Sequence, residues 1–299
     1  MDPANILIYG LNGLYYAAIL FMVALGLSLV FGVLDLLNLA HAGFLGLGAY
    51  FGASVSKYLL AETGSALLVY GTILVLTPLV VMIVGAIMEK TVFQPLYDVR
   101  EEYQLLATFG MLLMFENTFK AIWGAQPVTV PAAVDLLGSV QLLDKTYPGY
   151  YLLVIGVFVV TAAFPFYLFR RTRLGKTARA VSEDKEMVQA LGIDVDRIHL
   201  IVFGLSTGLA GLGGAMLAPV SGAVGGLSAS YVILAFAVIV IGGLGSLKGA
   251  VIASLIIGLV RAFGLALFSG LELALIFLLM AVFILVQPEG LFGGEGVIE

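Results

Sequence analysis

Apolar runs of about twenty residues, parted by short polar breaks, fill this sequence from end to end. A helix crossing the hydrocarbon core of a bilayer needs about 20 such residues. Residues 6–31 meet that length, and Asp35 marks the break before residues 36–58, which include Asn38 and His41. Residues 66–88 form a third stretch, where Pro78 is expected to kink the helix because it lacks an N–H. A charged loop is expected over 89–104, then a fourth span over 105–123 with Glu116, Asn117 and Lys120 inside it. Segment 124–149 holds three prolines and no long apolar run, so it reads as a loop.

The pattern resumes at 150–169 and again at 198–220. The Gly- and Ser-rich residues 221–230 predict a loop or re-entrant turn. Stretches 231–244 and 249–268 follow, joined by a short polar turn, and 271–286 closes the series. The expected architecture is all-α, a single polytopic membrane domain over 1–299 with eight or nine transmembrane helices. The open point is 231–244, which is short for a full crossing.

Composition agrees with that class. Of 299 residues, 61% are hydrophobic and 11% charged, against about 25% charged in soluble domains. With no cysteine, disulfides, thiolate chemistry and Cys-ligated metal sites are excluded. The N-terminal residues lack the basic region of a signal peptide, and a retained first helix is expected.

Charge changes the picture at one place. Residues 170–197 hold seven of the fourteen Lys and Arg, interleaved with Glu183, Asp184, Glu186, Asp194 and Asp196. Positive charge collects on the cytoplasmic side of membrane proteins. Placing 170–197 there puts Lys90, Arg100 and Lys248 on the same side, with 124–149 and the N-terminus outside and the C-terminus cytoplasmic. Within it, Ala180, Met187, Val188 and Leu191 can share one helix face over 176–191, and Gly192 suits the stop. Two readings fit: a docking helix, or a solvated connector resting on headgroups.

Leu174-Gly175-Lys176-Thr177 ends like a phosphate-binding loop, but Arg170 stands where the leading glycine belongs and an apolar helix precedes it, so no nucleotide site is expected. Small-residue pairs at Gly48/Gly52, Gly204/Gly208, Gly222/Gly226 and Gly245/Gly249 predict close helix packing within one subunit, or else a subunit interface or a moving seam. Residues 38–52 and 242–258 are loosely alike, a faint sign of an internal repeat.

Polar side chains inside a bilayer are costly and tend to face a pathway or a partner. Glu116 and Lys120 stand one helical turn apart and can neutralise each other. Asn38 and His41 lie near one end of a span, and hydrogen-bonded packing is the favoured reading for His41. His199 is the only other histidine, and no acidic cluster accompanies either, so no metal site is expected.

Three stretches resemble one family. They are residues 26–50 with Asn38, Ala40 and His41, residues 170–217 with Gly175, Arg179, Ala180, Asp184 and Gly192, and residues 238–260; Gln287-Pro288-Glu289-Gly290 fits as well. They resemble LivH-type permease subunits of branched-chain amino acid ABC importers, whose relatives also serve urea and amide import. The resemblance implies a type II-like importer permease in a prokaryotic plasma (inner) membrane. It implies a second, LivM-type permease, two ATPase subunits and a periplasmic or extracellular solute-binding protein, with no nucleic acid and no cofactor. ATP hydrolysis then belongs to the partners, and this chain is not an enzyme. The resemblance also favours docking for 174–192, with Gly175, Arg179, Ala180, Glu183, Asp184 and Gly192 at the coupling surface. Asn38, His41, Glu116 and Asn117 are then expected to line or brace the translocation path. The runner-up is an ion-coupled carrier, with Glu116 as its coupling carboxylate.

Overall fold

A computed structural model describes residues 2–268 and 270–293. Met1, Ser269 and residues 294–299 lie outside the described residues, and with them the expectation for the side of the C-terminus. In chain order the helices are α1 (Pro3–Leu34), α2 (His41–Thr63), α3 (Ala66–Gly71), α4 (Thr77–Met88), α5 (Glu101–Trp123) and the one-turn α6 (Ala132–Asp135). A hairpin of β1 (Ser139–Leu142) and β2 (Lys145–Pro148) follows, then α7 (Gly149–Arg171), α8 (Arg173–Glu183) and α9 (Lys185–Ala190). The rest is α10 (Val195–Ser221), α11 (Leu227–Gly242), α12 (Leu247–Leu267) and α13 (Glu272–Val286).

Among the described residues, six helices are long and apolar enough to cross a membrane: α1, the Ala66–Leu96 rod, α5, α7, α10 and α12. Two shorter apolar helices, α11 and α13, have 16 and 15 residues. The 23-residue α2 is diluted by glycines, serines and Lys57. Among the described residues, nine apolar helices therefore stand where nine apolar stretches were expected.

At the centre lies α1, apolar on every side, as a helix surrounded by others must be. Asp2 Oδ1 accepts from the Ala4 N–H at 3.3 Å to start it, and Asp35 in the left-handed region (φ 51°) ends it. Its closest neighbours are α12 and α10. The crossing with α12 is made by glycine: a Cβ on Gly258 would overlap the Gly13 carbonyl, and the same holds for α2 on α10, where Gly48 lies against Gly211. Gly204 and Gly208 face Met82 on α4. Gly222 and Gly226 depart from expectation. They sit in the loop before α11 at φ 73° and 83°, supplying conformations that other residues resist.

The Pro78 kink takes the form of a π-helical turn, Thr72–Leu76, just before the proline. Widening the helix there relieves the clash between the ring and the preceding turn. The loop expected over 89–104 is not a loop. Helix continues through a second π turn, Glu89–Phe93, and a 3₁₀ turn to Leu96, leaving only four residues before α5. The charge is accommodated inside: Glu89 is buried and accepts a 2.8 Å hydrogen bond from Tyr97 Oη. Segment 124–149 is not plain loop either. Its hairpin turns at Leu143, φ 55°, and α6 packs against α7.

The two ends of the bundle are distinct. One gathers Asn12 with Tyr147, Ser54 with Trp123, Tyr70 with Ala133, and Val128 with Ala223. The other gathers the end of α1, residues 97–104, α8 and His199 around a cleft of about 840 Å³.

Candidate functional site

The polar excursion 170–197 folds as a small unit. It is not the continuous helix expected over 176–191. Asp184 breaks it (φ −153°, ψ 89°), and Asp184 Oδ1 then accepts from the Met187 N–H at 2.8 Å to start α9. A short polar side chain competes well for such N–H groups, so the chain turns here. The start of α8 is held by Thr172, whose Oγ1 accepts from the Gly175 N–H at 3.1 Å. Gly175 itself lies against the Leu168 carbonyl and Phe169 backbone of α7, with no space for a side chain. The Gly-Lys-Thr that imitates a phosphate loop is thus a packing feature of the α7–α8 corner.

Val181, Val188 and Val195 form a core of their own, backed by Ala180 and Ile198. The expected shared face therefore splits. Ala180 and Val188 turn inward, while Met187 and Leu191 are 57% and 71% exposed, with Ile193 beside them at 38%. Arg179 is partly buried and engaged, Glu183 and Asp184 are exposed, and Gly192 ends α9 at φ 78°. Apolar side chains are thus left uncovered on a charged element.

The four residues expected along the path occupy three places. Asn117 is exposed on α5 and donates to the Leu113 carbonyl of its own helix at 2.8 Å. Glu116 turns the other way. It makes no ion pair with Lys120. Its two carboxylate oxygens accept from the N–H groups of Gly226 (2.7 Å) and Ser228 (3.1 Å), at the start of α11. A carboxylate is favoured there because the first N–H groups of a helix are unpaired and carry partial positive charge.

Asn38 and His41 stand together at the start of α2, both fully buried. The span expected from residue 36 becomes helical only at His41, and residues 36–40 run non-helically through the interior. His41 packs beside Gly26 of α1, the Ser206 carbonyl of α10 and Phe44. The Val23 backbone lies within its reach, yet neither ring nitrogen meets hydrogen-bond geometry, and neither does either polar atom of Asn38.

Thr108 was missed by sequence reasoning. Its Oγ1 accepts from the Leu39 N–H at 3.2 Å and reaches the Leu37 carbonyl at 3.3 Å, strapping the approach to α2 onto α5. The signal was present: Gln104, Thr108, Leu112 and Glu116 recur every four residues and form the buried face of α5. Ser228 Oγ, also fully buried and unpartnered, lies beside Gly46 on the second turn of α2. Elsewhere, Arg261 sits over the Tyr16 ring at 4.6 Å, while Glu272 accepts from Gly270, so those two do not pair. No metal-holding group occurs among the described residues.

Comparison with known proteins bears on all of this. The chain is 25% identical over 293 residues to the high-affinity branched-chain amino acid transport permease LivH of Salmonella typhimurium, covering 94% of each chain. It is 27% identical to BraD of Pseudomonas aeruginosa, again over 94% of each. To the LivM permease of Salmonella typhimurium it is 26% identical, over 90% of this chain and 67% of that one. No solved structure matches. The family model described as branched-chain amino acid transport system, permease component, matches residues 9–286, so this multi-pass membrane protein belongs to that permease family.

Proposed function

We propose that this chain is the permease subunit of an importer for branched-chain amino acids, driven by ATPase subunits that dock on α8 and α9. The observation that bears most weight is the excursion 170–197: a folded unit with its own core that leaves Met187, Leu191 and Ile193 uncovered. Such a surface suits a mechanical coupling to a partner, whereas a connector resting on headgroups would bury it in lipid. The positive-inside bias favours the cytoplasmic side for it and for the C-terminus, and the likeness to bacterial permeases favours a prokaryotic plasma membrane. Closure of the ATPases on ATP would push this unit, and α7 and α10 flanking it would carry the motion into the bundle. Similarity to both LivH and LivM permeases supports pairing with a second, related permease. A solute-binding protein would deliver substrate at the end formed by the hairpin and α6. The hydrogen bonds that engage Glu116 at α11 weigh against the ion-coupled carrier.

The test is co-purification from native membranes of wild type against Met187→Glu/Leu191→Glu. Both residues are exposed, so the fold should be kept. Wild type should recover an ATPase and a second permease. The double variant should keep the second permease and lose ATPase recovery by about tenfold or more, since each apolar group buried at an interface is worth roughly 1.5–3 kcal/mol. Equal ATPase recovery by both proteins would remove α9 as the docking site. ATP-independent uptake of leucine by the chain alone would end the importer reading.

A further inference from the structure

Three of the long helices lie at the rim of the bundle to the same degree. The Ala66–Leu96 rod, α5 and α7 each bury 28% of their most apolar stretch, against 94% for α1. What they leave uncovered differs. Over residues 71–87 the rod exposes only glycine and apolar side chains, among them Val75, Leu79 and Ile83. Over 156–164 the same holds for α7, with Val159, Val160 and Phe164 outward. Surfaces of that kind match lipid tails, which are as apolar as leucine.

α5 is the least apolar of the six spanning helices, and its outward face shows why. Its buried face runs through Gln104, Thr108, Leu112 and Glu116. On the opposite side Gly110, Met114, Asn117 and Ala121 are all exposed, and their helical spacing sets them in one stripe. Asn117 stands roughly 9 Å inside the end of α5 and Gly110 roughly 20 Å inside it. The Asn117 Nδ2 donates to the Leu113 carbonyl of its own helix, while its Oδ1 accepts from nothing among the described residues. Facing lipid, that oxygen is a standing cost. Facing another helix, it is a hydrogen-bonding group. Gly110 adds a matching shape. A Cβ there would meet no atom of this chain within 4 Å, so the glycine leaves a notch through which a second backbone can approach. Gly156 leaves a similar notch on α7, but with no polar side chain exposed beside it. The conjunction of notch and carboxamide belongs to α5.

We infer that the Gly110–Met114–Asn117–Ala121 face of α5 is the surface on which the second permease packs, while the rod and α7 face lipid. The inference rests on the reading above that this chain pairs with a second, related permease. The stripe lies along the span, so its occupant is itself a membrane helix, and that helix brings a donor for Asn117 Oδ1. Lys120 lies to one side of the stripe, with its stem over Gly225, and takes no part.

The test uses the assembled transporter in its native membrane. A benzophenone side chain is placed on α5 at Met114 or on α7 at Val160, positions exposed alike at 69% and 68%. On irradiation, Met114 should give an adduct with a second, homologous permease, identified by mass spectrometry, and Val160 should give none with protein. Gly110→Leu and Gly156→Leu form a second pair. A Cβ at either position meets no atom of this chain within 4 Å, so both variants should melt like wild type. Gly110→Leu should lower recovery of the second permease about tenfold, as overpacking of a closed contact does. Gly156→Leu should recover it in full. A Met114 probe that reaches only lipid, an adduct with another copy of this chain, capture of the second permease from Val160 alone, or undiminished recovery by Gly110→Leu would each overturn the inference. If wild type itself recovers no second permease, it is the pairing reading that fails.

Discussion

The starts of α2 and α11 are two solutions to one problem. Each begins with N–H groups that its own helix cannot all pair. At α11 the chain supplies its own anion: Glu116 reaches across from α5 and accepts from Gly226 and Ser228. At α2 the backbone itself answers part of the need, the His41 N–H donating to the Asn38 carbonyl at 3.3 Å and the Gly43 N–H to the Ala40 carbonyl at 2.8 Å. Asn38 and His41 stand buried and unmatched, while Thr108 holds the approach in place. The first arrangement is a fixed joint. The second is closed by backbone alone, and the difference between them is one carboxylate.

Removing that carboxylate should have the largest effect. Glu116→Ala leaves two buried N–H groups unpaired and should destabilise the protein by about 2–3 kcal/mol, seen as a lower midpoint of thermal unfolding in detergent. Glu116→Gln should cost roughly half, because the amide accepts at only one oxygen. A midpoint unmoved by Glu116→Ala would mean that α11 needs no anion, and the comparison would collapse.

Gly26→Ala comes next. A Cβ there would stand 2.5 Å from both His41 Nε2 and the Ser206 carbonyl. The crowding should cost about 1–3 kcal/mol, measured in the same melt, and a neutral outcome would show that the start of α2 is loosely packed.

Asn38→Leu should move in the opposite direction from Glu116→Ala. It replaces two unmatched polar atoms by an apolar group of similar size, so stability should stay level or rise by up to about 1 kcal/mol, while leucine uptake falls. Loss of stability would make Asn38 a structural member after all. Lys120→Ala should leave both melt and uptake unchanged, since Lys120 is exposed and does not pair with Glu116. A clear loss would restore the ion pair that its spacing suggests.

How much of this was legible beforehand differs by element. The apolar stretches were, as were the stop at Gly192 and the isolation of 170–197, because hydropathy and backbone conformation are local properties. The hairpin at 139–148 was not, since its four-residue strands turn through Leu143 without the Gly or Asn that marks such turns. The continuation of helix past Glu89 was hidden for another reason: charge argues for a loop unless a partner such as Tyr97 is known. The break at Asp184 competed with a plausible amphipathic face, and a single capping side chain won.

What the sequence determined alone is the class, the order of the membrane helices and the one polar unit among them, because the cost of exposing apolar residues to water leaves a chain of this composition no soluble alternative. What only the tertiary structure decided is depth and partnership. Spacing along α5 offered Glu116 a lysine one turn away, yet its hydrogen bonds go to residues 110 and 112 positions distant. Nor does spacing reveal that α2 begins about two turns inside the ends of its neighbours. Those facts depend on which helices pack together, and packing is settled by contacts between segments that are far apart in the chain.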